Sequence, residues 1–223
     1  MTISLAYDED AAEEPLAPLA PLPAPSRVPI RPAPRPVDLD AAEEAGRQFL
    51  LALGIDPDAP ENPDLARTPL RFAAAYAEML SPQPFDFTTF ANQEGYDEMV
   101  LVRDIPVRSL CEHHLLPFTG TAHVAYLPAD RVVGLSKIPR LVDHFARQPQ
   151  TQERLTVQIA DALAGHLQPR GVGVLIEASH SCMTLRGARA GDAATKTSAV
   201  RGALRDDARS RAEFFALVGG HAR

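Results

Sequence analysis

Apolar positions recur at helical spacing in two stretches before residue 80. In the first, VDLDAAEEAGRQFLLALGID, Asp40 is a candidate N-cap with Glu43 three residues later, and Gly54 ends the pattern. In the second, ARTPLRFAAAYAEML, Thr68 is a candidate N-cap and Pro69 takes the first helical position. The pattern predicts two helices that act as scaffold.

The pattern changes between residues 99 and 136, where β-branched runs in MVLVRDIPVRSL and TGTAHVAYLPADRVVGLS are broken by Pro, Gly and Asp. Such runs predict antiparallel strands. Helical spacing returns in IPRLVDHFARQ and QERLTVQIADALAGHLQP. We predict two strand pieces in VGVLIEASHSCMTLRG and one or two helices in KTSAVRGALRDDARSRAEFFALV. The order indicates an α+β fold, with helices segregated from an antiparallel sheet.

Composition separates the N-terminal region from the rest of the chain. Residues 1–37 contain nine of the 21 prolines, many of them alternating with alanine. We expect such a segment neither to continue a helix nor to pair in a sheet. The sequence therefore predicts a disordered or polyproline-like tail over residues 1–37 and one domain over residues 38–223.

Charge and cysteine content exclude several classes of function. The net charge of -7 argues against a nucleic-acid surface that works by bulk phosphate neutralisation, although a local cation cluster could bind one polyphosphate. No apolar run approaches a membrane span, and the acidic N-terminus does not resemble a secretory signal. We expect a cytoplasmic protein without nucleic-acid or membrane partners. Two cysteines allow at most one disulfide, and in a reducing compartment they are more often metal ligands, reactive thiols or core residues.

The stretch SLCEHHLLPFTG places a Cys-x-x-His pair, Cys111 and His114, just before a predicted strand. One tight turn can bring this thiolate and imidazole to the same point, and Cys182 can supply another sulfur. Such donors suit Zn²⁺, and three protein ligands leave the fourth position open for a reactive water. The alternative is that the cysteines are ordinary core residues.

Two further histidines lie beside these candidate ligands. His113 precedes His114, and His180 lies two positions before Cys182, on the same face of an extended segment. Both are candidates for proton transfer near neutral pH. The alternative for each is a histidine that only satisfies hydrogen bonds in the core.

Polar residues at two predicted helix starts are candidates for ligand binding. Ser136, Lys137 and Arg140 could hold a phosphate chain at a helix N-terminus, and Arg186, four residues after Cys182, could reach the same region. The alternative is a solvated basic surface. Gln152 and Glu153 open the long helix, where the carboxylate could accept two N–H bonds from a purine edge or could simply favour the helix dipole.

Four segments resemble the GTP cyclohydrolase I family in order and spacing: SLCEHHLLPFTGTAHVAYLP, VVGLSKIPRLVD, QTQERLTVQIADAL and GVGVLIEASHSCMTLRG. The weaker RTPLRFAAAYAEML is similar to the N-terminal helices of that family. The resemblance extends from about residue 40 to the C-terminus.

The resemblance implies a zinc hydrolase that converts GTP to 7,8-dihydroneopterin triphosphate and formate, the first step towards folate and related pterins. It implies attack at C8 of guanine with protonation at N7, release of formate, and rearrangement of the ribose. Carried over by position, the zinc ligands are Cys111, His114 and Cys182, and the acid/base pair is His113 and His180. The triphosphate contacts are Ser136, Lys137, Arg140 and Arg186, and Ser136 is also needed for the rearrangement. The guanine contacts are Gln152 and Glu153.

The family fold implied by the resemblance is the tunnelling fold, an antiparallel sheet with helices on one face, assembled into a toroidal homodecamer with active sites at subunit interfaces. Two other interpretations remain. One is a zinc or ligand-binding protein of the same fold without turnover. The other is a related enzyme that acts on another purine or pterin, although a substrate without a triphosphate would not need Lys137, Arg140 and Arg186.

Overall fold

The longest strands form one five-stranded sheet in the computed structural model, which describes residues 26–30 and 37–219. This sheet and a second sheet of three strands contain all the strands of the described residues. The second sheet has the order β1-β2-β5 and the first has the order β6-β3-β4-β7-β8. The strands are β1 (Ser26–Ile30), β2 (Phe85–Ala91), β3 (Val100–Cys111), β4 (Pro117–Leu127), β5 (Arg131–Val133), β6 (Pro149–Gln150), β7 (Gly171–His180) and β8 (Thr195–Gly202).

All neighbouring strands of the large sheet are antiparallel except β3 and β6, which pair in parallel through Leu110↔Pro149 and Cys111↔Gln150. The prediction of an α+β fold with an antiparallel sheet is confirmed. The helices are α1 (Leu39–Ala52), α2 (Thr68–Met79), α3 (Lys137–Ala146), α4 (Gln152–Leu167), α5 (Ser181–Thr184), α6 (Ala203–Asp206) and α7 (Ala208–Gly219), with a 3-10 turn at Pro63–Leu65.

Helices α3 and α4 cover one face of the large sheet. Leu155, Ile159 and Leu163 of α4 are fully buried in the same cluster as Val124 and Val174 of the sheet. Full burial of each such side chain contributes about 2 kcal/mol. Since the apolar stripe of α4 follows helical spacing, its position over the sheet follows from the sequence.

Helices α6 and α7 pack at one end of the opposite face. Leu204 and Phe214 form a separate apolar cluster there with Ala125 of β4. Gly173 of β7 makes room for them, since a Cβ at this position would lie 2.7 Å from Leu204 Cδ2 and 3.1 Å from Phe214 Cζ. Helices α3 and α4 therefore cover one face of the sheet, and α6 and α7 cover one end of the other face.

The first two helices occur where they were predicted, but their caps differ. Asp38, not Asp40, caps α1 by accepting a hydrogen bond from Ala41 N at 2.9 Å. Helix α2 begins at Thr68, and its N-cap is Arg67 without a side-chain capping bond. Both boundaries are shifted by one or two residues, within the range over which helix ends are poorly defined by local sequence.

Two predictions for the C-terminal third are wrong. In SHSCMT the second strand piece is absent, because Ser181–Thr184 form the short helix α5 directly after β7. In KTSAVRG the predicted helix is a strand, since Thr195–Gly202 pair with β7 along their whole length. Long-range pairing with an established strand outweighs the helix preference of Lys, Ala and Arg.

The predicted tail is wrong at residues 26–30, which form β1 and pair with β2 from Ser26↔Thr89 to Ile30↔Phe85. The strand lies at the edge of its sheet, where a proline is tolerated because no second neighbour needs its N–H. Residues 1–25 and 31–36 of the predicted tail lie outside the described residues. Between residues 37 and 219, no helix combines the length and apolar content that crossing a membrane requires.

Candidate active site

A tight turn after β3 carries the Cys-x-x-His pair. Cys111 N donates to Leu116 O at 2.9 Å, and Cys111 O accepts from Leu115 N at 2.8 Å and from His114 N at 3.3 Å. Leu115 adopts a left-handed conformation with φ of 52°, which reverses the chain into β4. As a result His114 Nδ1 lies 3.8 Å from Cys111 Sγ.

Contacts from two other elements hold this turn. Glu112 N donates to Gln150 O at 3.0 Å, which extends the pairing of β3 with β6. Tyr76 of α2 donates its hydroxyl to Leu115 O at 3.1 Å. The turn is thereby fixed to the start of α4 on one side and to α2 on the other.

Strand pairing brings Cys182 to the same place. His180 at the end of β7 pairs with Phe118 at the start of β4, and α5 begins at the next residue. The ligand atoms of Cys111, His114 and Cys182 all lie within 4.8 Å of one another. The structure thus groups the three residues that the sequence predicted as metal ligands.

The chemistry and spacing of these donors fit a zinc ion. Tetrahedral coordination with Zn–S of about 2.3 Å and Zn–N of about 2.0 Å places a sulfur and a nitrogen ligand about 3.6 Å apart. The observed separation of Cys111 Sγ and His114 Nδ1 is 3.8 Å. Burial and then the neighbouring Cys111 thiol raise the pKa of Cys182, while Arg186 lowers it. A bound cation would reverse this effect and favour the thiolate.

His113 lies on the exposed side of the turn. Its side chain is 66% exposed, and its Nε2 lies 3.9 Å from Glu112 Oε1. Its Nδ1 lies 3.9 Å from Cys111 Sγ. His113 is therefore beside the three grouped donors and open to a ligand.

His180 is held more tightly. Its ring stacks on Phe118 with centroids 4.4 Å apart and planes 10° from parallel. Its Nε2 lies 2.9 Å from Gln152 Oε1. Burial lowers the pKa of His180, and the Glu153 carboxylate partly offsets this by raising it. The two predicted acid/base histidines thus differ in burial and in the number of their contacts.

The first turn of α4 places Gln152 and Glu153 differently. Thr151 caps the helix by accepting from Arg154 N at 3.2 Å. Glu153 is exposed, whereas Gln152 is 2% exposed and its side-chain amide bonds to β7, to β8 and to His180. The Gln152 amide thus has hydrogen-bond partners inside the chain, and its predicted contact with guanine stays a prediction.

The predicted phosphate contacts of α3 do not converge with the donors in one chain. Ser136 is the N-cap of α3 without a side-chain capping bond, and Lys137 N donates to Gly134 O at 2.8 Å. Within residues 26–30 and 37–219, no hydrogen bond or ion pair joins Ser136, Lys137 or Arg140 to the grouped donors. Arg140 lines a cavity of about 140 Å³ with Gln83, Pro84, Phe85 and Asp143.

The direction of α3 explains this separation. Ser109 Oγ, near the end of β3, donates to Ala146 O at 2.6 Å, so the C-terminal end of α3 lies nearest the turn. The first residue of α3 is about 15 Å further along the helix axis. Arg186, in contrast, follows α5 and is exposed near Cys182.

Sequence reasoning missed two groups that shape this site. Phe118 lies within the stretch that contains Cys111, but only the pairing of β4 with β7 shows that it stacks on His180. Arg154 lies in the first turn of α4, after the N-cap residue Thr151. Its guanidinium lies 2.5 Å from Glu112 Oε2. Neither contact has a signal in local sequence spacing.

A family model and the two relatives described next indicate the same family. A family model described as GTP cyclohydrolase I matches residues 42–219, which include the three grouped donors. GTP cyclohydrolase 1 from Thermobifida fusca (strain YX) is 52% identical over 193 residues, covering 84% of this chain and 92% of that protein. GTP cyclohydrolase 1 from Streptomyces griseus subsp. griseus is 53% identical over 186 residues, covering 81% of this chain and 90% of that protein.

Among solved structures, the archaeosine synthase QueF-Like in the apo form matches with a TM-score of 0.40 and 17% identity. The match covers 47% of this chain and 93% of that one.

Proposed function

The chain belongs to the GTP cyclohydrolase I family and is an enzyme, and we propose that it converts GTP and water to 7,8-dihydroneopterin triphosphate and formate. The observation that carries the proposal is the grouping of Cys111, His114 and Cys182 within 4.8 Å, with His180 two residues before Cys182. The product would be the entry compound for folate and related pterins.

We assign Zn²⁺ as the metal and the three grouped residues as its ligands. Two thiolates and one imidazole are soft donors, and three protein ligands leave one tetrahedral position open. When bound, the ion would act as a Lewis acid that lowers the pKa of a water ligand. Cys111 is buried and Cys182 half-buried, so the chain would shield the ion on the side away from substrate.

His113 and His180 are the proposed proton-transfer groups. His180 is fixed by Phe118 and Gln152, which suits protonation of one defined atom, guanine N7. His113 is exposed, which suits a group that serves the ribose after the purine ring has opened. Both assignments follow the family by position and agree with these contacts.

The remaining proposed contacts bind the substrate. Glu153, exposed at the first turn of α4, accepts N–H bonds from the guanine edge. Lys137, Arg140 and Arg186 bind the triphosphate as cations, and Ser136 donates a hydroxyl at the start of α3.

We further propose that the active site is completed by a second copy of the chain, in the toroidal homodecamer that the family resemblance implies. The separation of Ser136, Lys137 and Arg140 from the grouped donors within one chain supports this arrangement. A neighbouring copy would then bring its α3 to the metal centre of the first. The cytoplasmic location predicted from the sequence remains a prediction.

The test is to incubate zinc-loaded protein with GTP, oxidise the products, and measure pterin fluorescence and released formate in the same sample. Equal amounts of both are expected. Formate without pterin would mean that ring opening occurs but rearrangement fails. Neither product, with GTP and zinc both bound, would replace the proposal with a binding protein that lacks turnover. Turnover of another purine or pterin in preference to GTP would indicate a related enzyme.

A further inference from the structure

A buried side-chain amide of α4 contacts both β7 and the edge strand β8 of the large sheet. Gln152, the first residue of α4, is 2% exposed. Its Nε2 faces two backbone carbonyl oxygens, Ile176 O at 3.1 Å in β7 and Thr195 O at 2.9 Å in β8. Carbonyl oxygens only accept, so this end of the amide must be the NH₂ group and the other end must be the oxygen.

A chain of hydroxyls confirms that orientation. The Thr156 hydroxyl donates to the backbone carbonyl oxygen of Gln152 at 2.7 Å. The hydroxyl oxygens of Thr156 and Thr197 lie 2.6 Å apart. Because the Thr156 hydroxyl gives its one proton to this backbone carbonyl, the Thr197 hydroxyl must donate to Thr156 Oγ1. Thr197 Oγ1 can then only accept, so the amide nitrogen and not the amide oxygen must face it at 3.2 Å, and one of the two N–H protons is shared between Thr197 Oγ1 and a carbonyl oxygen.

The orientation of the amide determines which nitrogen of His180 carries the proton. Gln152 Oε1 can only accept, and it lies 2.9 Å from His180 Nε2, so that Nε2 must be protonated. Stacking on Phe118 fixes the plane of the ring. Among the described residues no hydrogen bond to His180 Nδ1 is found, which leaves Nδ1 as the nitrogen available to substrate.

We propose that Gln152 is a positioning residue that holds His180 as the Nε2–H tautomer, so that Nδ1 is the atom that exchanges a proton with substrate. The identity of the substrate in this inference rests on the proposed function. The tautomer of His180 rests on the hydrogen-bond network alone. Nδ1 of the neutral ring first takes a proton from water, and the resulting imidazolium then gives this proton to a substrate nitrogen, so that one N–H bond breaks and one forms. The ring returns to its neutral form with the proton still bonded to Nε2, which continues to donate to Gln152 Oε1.

The tautomer can be measured without turnover. Zinc-loaded protein with ¹⁵N-labelled histidine is studied by solid-state NMR at a pH at which imidazoles are neutral, and the His180 signals are identified by their loss in His180→Ala. We expect a protonated Nε2 and an unprotonated Nδ1. An Nδ1–H tautomer in the wild-type chain would overturn the proposal, even if the enzyme produces pterin.

Kinetics separate positioning from direct recognition of guanine. Gln152→Met keeps the length of the side chain but removes the acceptor, and we expect kcat to fall about tenfold or more at unchanged KM for GTP and unchanged zinc content. A raised KM with unchanged kcat would instead assign Gln152 to guanine recognition and overturn the proposal.

Tyr126→Phe is the matched control. It also removes a buried hydrogen bond, since the Tyr126 hydroxyl accepts from Val133 N at 3.3 Å. It lies eight residues along β4 from Phe118, which is about 26 Å in an extended strand. We expect Tyr126→Phe to lower stability but keep kcat, and an equal loss of kcat would overturn the specific role of Gln152. A wild-type chain that makes no pterin would refute the proposed reaction and leave the tautomer measurement as the test of this inference.

Discussion

The guanidinium of Arg154 lies 2.5 Å from the carboxylate of Glu112 and so joins the first turn of α4 to the turn between β3 and β4. Arg154 also donates to Gln150 Oε1 at 2.8 Å and to Pro149 O at 2.6 Å. One side chain thus connects three segments that meet next to the proposed metal ligands. Such a contact supports the geometry of a metal site although it does not reach the ion.

We predict that Arg154→Ala speeds the release of zinc to a competing chelator by about tenfold, because the turn that carries two ligands loses its attachment to α4. The free energy of unfolding should fall by no more than about 1 kcal/mol, since the pair is partly exposed. Arg201→Ala is the control, because it removes a partly exposed pair with Asp161 at 2.8 Å. Equal zinc release in the two variants would contradict the prediction.

Metal binding and proton transfer should separate by substitution. Cys182→Ser weakens a proposed ligand, so zinc content measured by mass spectrometry and pterin formation should both fall. His113→Ala leaves the three donors intact, so zinc content should stay at the wild-type level while turnover falls about a hundredfold or more. Full zinc occupancy in Cys182→Ser would remove Cys182 from the ligand set. Loss of zinc in His113→Ala would assign His113 to the metal.

The parts of the fold that sequence patterns predicted are those with long periodic signals. Helix α4 carries Leu155, Ile159 and Leu163 at helical spacing, and all three are fully buried. The strand Thr195–Gly202 lacked such a signal, because its structure depends on pairing with β7 rather than on its own composition. The same holds for β1, whose partner is about 60 residues away in sequence.

The candidate site also has a part that could be predicted from the sequence and a part that could not. Residue types and spacing offered Cys111 and His114, with Cys182, as candidate ligands, the family resemblance implied the full set, and the structure brings these residues together. The orientation of the Gln152 amide was not predictable, because its acceptors come from β7 and β8 and exist only once the strands pair. Donor sets are visible in sequence, whereas hydrogen-bond partners of a buried amide depend on tertiary structure.

Gly120 is required by close packing between β4 and β7. A Cβ at this position would lie 2.5 Å from Ala178 Cα and 2.7 Å from Ala178 Cβ, and closer still to Glu177 O. We predict that Gly120→Ala lowers the free energy of unfolding by about 1–3 kcal/mol, measured by thermal unfolding. Gly165→Ala in α4 meets nothing within 4 Å and should instead stabilise the chain by about 0.5–1 kcal/mol. Stabilisation by Gly120→Ala would refute the packing argument.

His123 should contribute to acid sensitivity. Burial lowers the pKa of His123; Asp104 and Glu177 raise it, whereas Arg103 and Lys196 lower it. The unfolded chain then binds a proton more readily, so stability is complete above about pH 6.5 and is lost as the pH falls towards the pKa of the folded state.

His123→Asn tests this contribution, because its amide oxygen can replace the Nδ1 atom that accepts from Asp104 N at 3.3 Å. The variant should be less stable at pH 7.5 but should lose less further stability between pH 7.5 and 5.5 than the wild type does. Zinc-loaded protein is used for both, so that metal release affects them equally. An equal loss of stability in His123→Asn and the wild type between pH 7.5 and 5.5 would contradict the prediction.

Completion of the site by a second copy predicts complementation between inactive variants. His180→Ala removes a group next to the proposed metal centre, and Arg140→Ala removes a proposed phosphate contact on α3. If each site takes these residues from different copies, coexpression should restore about one quarter of wild-type activity, because random assembly yields that share of intact sites.

The matched control is coexpression of His180→Ala with Cys182→Ser, whose side chains belong to the same chain's site. This pair should restore no activity, because in a mixed assembly each site carries one of the two substitutions or the other. Restoration in the control would indicate exchange of strands or segments between copies. Failure of the first pair to complement, in mixed oligomers verified by mass, would place Arg140 and His180 in the same chain's site and refute completion of the site by the α3 helix of a second copy.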